Sequence, residues 1–231
     1  MQNAKLKPIC DIRLYRSCIE NIDGNSHPEL FASPKLNIVI TRIVMKLRES
    51  GFSLGDFDHL YINFTTCQKD GVMLPAKRSI DRYHPWYRYY DIGVTEERYQ
   101  QLPQENSFDF IIERITALLN RYFDFEGNCE VKPCVDEAIT KGEDLLVLYK
   151  AKQTAAMKAE IYLQLLDSGK YCPNLFVCHQ NGEKLLHRKL PCTVDFMSLG
   201  EIQLIKKRVT VKPRKNALAK DLEPISFELE G

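Results

Sequence analysis

Two histidines in this chain stand next to carboxylates, and a histidine tuned by a neighbouring acid is a ready proton donor or acceptor at neutral pH. Asp56, Asp58 and His59 lie at the entrance of one strand-like run, and Asp81 and His84 follow a long loop. Brought together, His59, Asp58, His84 and Asp81 would make a hydrolytic or nucleic-acid-processing site. The plainer reading is that these aspartates form turns, since Asp side chains bond their own backbone nearby. No Gly-x-Ser-x-Gly elbow, Gly-x-Gly-x-x-Gly turn or phosphate loop ending in Gly-Lys-Ser or Gly-Lys-Thr occurs, so catalysis has no further motif behind it and no cofactor is expected.

Cysteine and histidine offer a second chemistry. Cys172, Cys178, His179, His187 and Cys192 fall within 21 residues. Closed zinc sites usually use tight cysteine pairs, yet the chain holds no Cys-x-x-Cys, and Cys129 and Cys134 are separated by four residues that include a proline. No metal is expected, and the eight cysteines read as reduced thiols. Positive charge is the third candidate. Lys206, Lys207, Arg208, Lys212, Arg214 and Lys215 put six cations in ten residues, which could neutralise phosphates. An edge strand kept soluble by lysines accounts for the same pattern, so nucleic acid is the less favoured partner.

The sharpest departure from average composition is Asp81 to Gly93. Tyr83 to Tyr90 hold five rings in eight residues, including the only tryptophan, Trp86, in a chain that is 10% aromatic. Tryptophan, tyrosine and arginine dominate interface hot spots because they bury large areas with few rotatable bonds. Arg82, Tyr83, Trp86, Tyr87, Arg88, Tyr89 and Tyr90 are therefore the candidate partner-binding residues. The competing reading buries all five rings in the core.

These residues need elements to hold them. Ile12–Glu20 reads as a strand. Ser33 and Pro34 open a helix whose stripe is Leu36, Val39, Ile40, Ile43, Val44 and Leu47. Leu60, Ile62 and Phe64 alternate with His59, Tyr61, Asn63 and Thr65, a half-buried strand whose polar face must meet water, a ligand or another polar surface. After a loop from Cys67 to Arg82, Trp86–Ile92 reads as a strand with Trp86, Arg88, Tyr90 and Ile92 on one face and Tyr87, Tyr89 and Asp91 on the other. Ser107 caps a second helix carrying Phe108, Ile111, Ile112, Ile115, Leu119 and Tyr122. Phe125–Asp144, rich in Gly, Pro and acids, reads as a boundary. Beyond it come a strand at 145–150, a helix over 154–169 favoured by its Ala, Met and Leu content, with a strand centred on Ile161 as the alternative, a hairpin with a type I′ turn at Asn181-Gly182, and strand patterns at 202–211 and 225–229.

The whole is read as an α+β protein, a mixed or antiparallel sheet backed by two amphipathic helices with a strand-rich C-terminal half. The two subdomains would be 1–127 and 143–231, or one continuous domain. With 44% hydrophobic residues and a net charge of +1 the chain can fill a core. Charge is uneven: residues 91–144 carry a net −8 and residues 184–220 a net +8, blocks that either face each other or are solvated separately, with a partner surface as the alternative. No secretory signal is visible and nothing approaches a spanning helix, so a soluble cytoplasmic protein is expected. Non-catalytic binding of another protein, as by an inhibitor or immunity-type factor, is the function these features favour.

Overall fold

Parallel strands must be joined by a long crossover, and the helix after the first strand supplies one. The structure, a computed structural model, describes residues 6–229 apart from the side chain of Leu218. The chain divides into two compact units, Met1–Gly142 and Glu143–Gly231. The first runs β1 (Asp11–Ser17), β2 (Glu29–Leu30), α1 (Pro34–Glu49), β3 (His59–Thr65), β4 (Met73–Pro75), β5 (Tyr87–Gly93), α2 (Glu96–Gln101), α3 (Phe108–Tyr122) and α4 (Val131–Lys141). The second is all strand apart from short turns: β6 (Val147–Gln153), β7 (Met157–Leu165), β8 (Tyr171–His179), β9 (Lys184–Lys189), β10 (Leu199–Ile205), β11 (Arg208–Pro213) and β12 (Ile225–Glu228). The fold is α+β with a strand-rich C-terminal half.

In the first unit the sheet order is β2-β1-β3-β5-β4, with β1, β3 and β5 parallel and the two short edge strands antiparallel. Register places Ile12 beside Leu60 and Arg88, and Leu14 beside Ile62 and Tyr90. This face is covered by helices. Ser33 Oγ accepts from Leu36 N–H to start α1, whose Leu36, Ile40, Ile43, Val44 and Leu47 are buried. From α3 come Ile111, Ile115, Leu118 and Leu119. Each fully buried side chain of this size contributes roughly 1.5–3 kcal/mol.

Two expectations for the first unit change. The segment read as a boundary, Phe125–Asp144, does hold the division after Gly142, but it also contains α4, packed on α1 and α3. Its Pro133 sits in the first turn, where no intrahelical donor is lost. The Cys67–Arg82 loop contains β4, so the chain reaches β5 through its own outer neighbour. At the end of β5 the backbone passes so close to the turn before β4 that a Cβ on Gly93 would collide with the Lys69 carbonyl.

In the second unit the sheets β6-β7-β8-β9 and β10-β11-β12 share a core of Ala159, Ile161, Leu175, Val177, Leu186, Ile202, Val209 and Val211. The helix expected over 154–169 is the strand β7 instead. Helix propensity lost to period-two burial: Ala159, Ile161, Leu163 and Leu165 are buried while Lys158, Glu160, Tyr162 and Gln164 on the other face are only partly so. The single run at 202–211 is a hairpin folded at Lys206, whose φ is +49°. In the β8–β9 hairpin Phe176 faces His187 as expected, but only Gly182 of the turn pair has a positive φ. The turn is therefore not type I′, and the ladder slips by one residue between Val177 and Cys178. Cys172 and Cys192 form a disulfide, which corrects the reading of all cysteines as thiols. The chain after β9 returns beside β8, where Tyr171 and Thr193 exchange backbone hydrogen bonds at 2.7 and 2.8 Å, and so sets the two sulfurs side by side.

Gly93→Ala should lower unfolding stability by about 1–3 kcal/mol, the cost of forcing atoms into filled space, read as a lower urea midpoint. Thiol titration of the denatured, unreduced protein should count the six cysteines outside the disulfide. A count that matches the fully reduced protein would show the Cys172–Cys192 bond unformed.

Candidate functional site

Because β1, β3 and β5 are in register, the face away from the helices is a grid of polar and aromatic residues. Its rungs are Asp11, His59 and Tyr87; then Arg13, Tyr61 and Tyr89; then Tyr15, Asn63 and Asp91; then Ser17, Thr65 and Gly93. Four tyrosines mesh across it. Tyr61 stacks on Tyr87 at 4.5 Å between centroids and meets Tyr15 and Tyr89 at 5.3 Å each. Tyr15 meets Tyr89 edge-on at 5.5 Å, and the Arg13 guanidinium lies over Tyr61 at 5.5 Å. Burial raises the phenol pKa of Tyr61, Tyr87 and Tyr89, most for Tyr89. These rings stay neutral at physiological pH.

Beneath the tyrosines lies a buried polar chain. Asp91 is 4% exposed and Asn63 not at all. Asp91 Oδ1 accepts from Asn63 Nδ2 at 2.8 Å and from Asn21 Nδ2 at 3.2 Å. Asn21 Oδ1 in turn accepts from Arg78 Nε at 2.8 Å, and Arg78 Nη2 donates to the carbonyls of Asn25 and Ser26, both at 3.1 Å. Burial pushes the Asp91 carboxyl above its ordinary value, against the pull of both amides and of Arg78. The arrangement sews the loops around 19–28 and 76–80 to the sheet, and Asp23, which accepts from Ser79 N–H and Oγ–H, is a second stitch.

The loop from 80 to 86 emerges from that clasp. Asp81 accepts from the backbone N–H of Tyr83 at 2.8 Å and of His84 at 3.2 Å, and its second oxygen lies 2.9 Å from His84 Nδ1. The His84 bond and these amides hold the Asp81 carboxyl below its ordinary value. At the other end Arg88 Nη1 donates to the carbonyls of Pro85 at 2.7 Å and Tyr87 at 2.8 Å, with its guanidinium over Phe57 at 5.2 Å. The Trp86 carbonyl accepts from Asp58 and His59 N–H at 3.1 and 3.0 Å. On this fixed backbone Tyr83 is 85% exposed, Ile80 54% and Trp86 38%, and the His84 ring supports the indole edge-on at 4.9 Å. A cleft of about 310 Å³ adjoins the loop, lined among others by Arg78, Ile80, Tyr87 and Tyr89.

The structure thus divides the ring cluster. Arg82, Tyr83 and Trp86 face outward, while Tyr87 and Tyr89 belong to the tyrosine grid. Tyr90 packs among Tyr122 and Phe123 on the helix side. Arg88 takes Asp56 as its acid, at 3.2 Å. Each histidine pairs with its own aspartate, His59 with Asp58 at 2.6 Å and His84 with Asp81 at 2.9 Å. Tyr15, Asn21, Tyr61, Asn63, Arg78 and Asp91 were not singled out from sequence as site residues. The polar alternation of His59, Tyr61, Asn63 and Thr65 was the available signal.

In the second unit His187 stacks on Phe176 at 4.2 Å, and Cys172 and Cys192 are bonded to each other. Among the described residues no group of three or more His, Cys, Asp or Glu could hold a metal ion. The basic run divides: Lys206 and Lys207 turn the β10–β11 hairpin, Arg208 pairs with Glu228 at 2.8 Å, and Lys212, Arg214 and Lys215 line a groove. No helix is long and apolar enough to cross a membrane among the described residues.

Asp91→Ala should destabilise the protein by roughly 1–3 kcal/mol, the cost of orphaned buried amides. Since the folded pKa of Asp91 lies above the unfolded 3.8, the folded state binds its proton more tightly. That contribution is complete below 3.8 and is lost as pH rises through the folded value. Urea unfolding of both proteins at acid and neutral pH should show the gap between them narrowing as pH rises. Compared with models of protein families, with curated proteins and with solved structures, the chain matches none.

Proposed function

We propose that this protein binds another protein through the loop 80–86, as a non-catalytic inhibitor or immunity-type factor of the cytoplasm. The observation that carries the reading is that Ile80, Tyr83 and Trp86 are exposed on a backbone held at both ends, by Asp81 and by Arg88. Large apolar side chains left in water on a floppy loop would collapse or cost ordering entropy on binding. A backbone already fixed, with the Trp86 indole supported by His84, surrenders little further freedom and so binds more tightly per unit of area. Arg82, exposed among them, suits a partner whose rim is acidic.

The alternative is a hydrolase or nucleic-acid-processing factor using His59, Asp58, His84 and Asp81. It has less support, because Asp81 already accepts two backbone N–H groups and the His84 ring, which is what holding the loop requires.

Tyr83→Ala with Trp86→Ala should weaken capture of the partner from extracts of the native host at least about tenfold, the scale of hot-spot truncation. The variant should still unfold cooperatively; Tyr83→Ala alone should leave the melting temperature at the wild-type value, since that side chain is 85% exposed, while Trp86→Ala, which gives up the contact with His84, should lower it slightly. Unchanged capture by this double variant would sink the reading. Loss of folding would move the rings into the core, and His59→Ala abolishing a hydrolytic activity would favour the alternative.

A further inference from the structure

The second unit carries a concentration of positive charge that the aromatic loop does not explain. β6 is an edge strand of the four-stranded sheet and β10 of the three-stranded one, and the two edges lie side by side. Lys150 ties them together, its Nζ donating to the carbonyls of Leu199 at 2.7 Å and Gly200 at 2.6 Å. These carbonyls turn to it where β10 departs from regular pairing between Leu199 and Ile202. Glycine is needed there, because a Cβ on Gly200 would stand 2.5 Å from the Pro213 carbonyl oxygen.

Along this join runs an open groove of about 580 Å³. Five cations line it, Lys150 and Lys152 from β6 and Lys212, Arg214 and Lys215 from the end of β11 and beyond, against one acid, Glu201. Lys152, Lys212 and Lys215 enter no ion pair with the described residues. Lysines that merely protect a sheet edge project from one strand into water. Here cations from two separate segments converge on one concavity, where their mutual repulsion costs stability until an anion enters, and a cleft of one sign concentrates counter-charge.

The spacing favours a linear anion. Lys150 and Lys152, two apart on β6, stand about 6.6–6.8 Å apart along the strand, and Lys212, Arg214 and Lys215 line the same groove from the end of β11 and beyond it, so the positive charge is spread along the groove as successive charges on a chain would need. No aromatic ring lines the groove, which leaves an acidic protein without a hot-spot anchor and leaves a nucleic acid without a platform for reading bases. Phosphate contacts need neither. We propose that this groove binds the phosphodiester backbone of nucleic acid, RNA or DNA, without regard to sequence.

The test is fluorescence anisotropy of the full chain with labelled oligouridylate and oligothymidylate of about 20 nucleotides, at about 50 and 200 mM KCl. Affinity should fall steeply with salt. Lys152→Gln, Lys212→Gln and Lys215→Gln combined should raise Kd about tenfold or more at the lower salt and reduce the log–log salt slope by about 2, at about 0.7 per lost phosphate contact. A control removing the same charge elsewhere, Lys184→Gln, Lys206→Gln and Lys207→Gln, should change Kd less than about threefold. Binding of either oligonucleotide supports the proposal, and the tighter one names the source. No saturable binding at low salt would overturn it, as would an equal loss in the control. Polyglutamate binding more tightly than either oligonucleotide at matched charge would overturn it and identify an acidic protein as the occupant.

Discussion

The first unit depends on one carboxylate that ought to be expensive. Asp91 is almost wholly buried, and a buried charge without partners costs several kcal/mol. It is held by two amides, from Asn63 and Asn21, with Arg78 one residue further along the chain of bonds. Each member fixes the next. Asn63 is set by its place on β3, Asn21 belongs to the loop after β1, and Arg78 belongs to the loop after β4. Opening either loop would strand a buried amide or carboxylate, so the two loops stay closed together. This is local rigidity derived from polar satisfaction rather than from apolar packing.

That rigidity passes to the aromatic loop, which begins two residues beyond Arg78. Several interactions hold it, and magnitudes separate them. The Arg88–Asp56 ion pair is weak, because the Asp56 side chain is 68% exposed and exposed pairs contribute about 0–1 kcal/mol. The hydrogen bonds from Arg88, whose side chain is 20% exposed, to the Pro85 and Tyr87 carbonyls and its contact with Phe57 do more, since charge-assisted bonds to backbone contribute about 1.5–3 kcal/mol, and the Asp81 turn adds its two bonds from the backbone N–H groups of Tyr83 and His84. Asp81 and Arg88 therefore serve as braces for the rings, and the charge of each is spent on its own backbone.

Elements with one dominant signal were legible in the sequence. The Ser33-Pro34 start of α1, the alternation of β3 and the two faces of β5 all follow from local patterns that tertiary contacts reinforce. Misreadings arose where two signals competed. At β7 the helix formers Ala155 and Ala156 just before the strand and Met157 at its start compete with an alternation that decides burial in an antiparallel sheet. In α4 Pro133 looked like a breaker only because the position of the first turn was unknown. The site was half legible. Composition marked the rings, but nothing local could show that Asn21 and Arg78, 57 residues apart, share a hydrogen bond, or that Cys172 and Cys192 are neighbours across a strand return.

The two candidate surfaces work in different physical regimes. Rings on a braced loop recognise by excluding water from apolar area, a term that salt hardly weakens. Cations converging on an open groove act through long-range fields that ions screen within about 8–10 Å at physiological strength. Adding salt to the intact chain therefore separates them, weakening association through the groove while leaving association through the rings in place. The same contrast explains why the sequence signalled one more clearly than the other. Five rings in eight residues are conspicuous in a single segment, whereas a groove drawing Lys150 and Lys152 from β6 and Lys212 to Lys215 from the far end of β11 exists only once two sheet edges have been brought together.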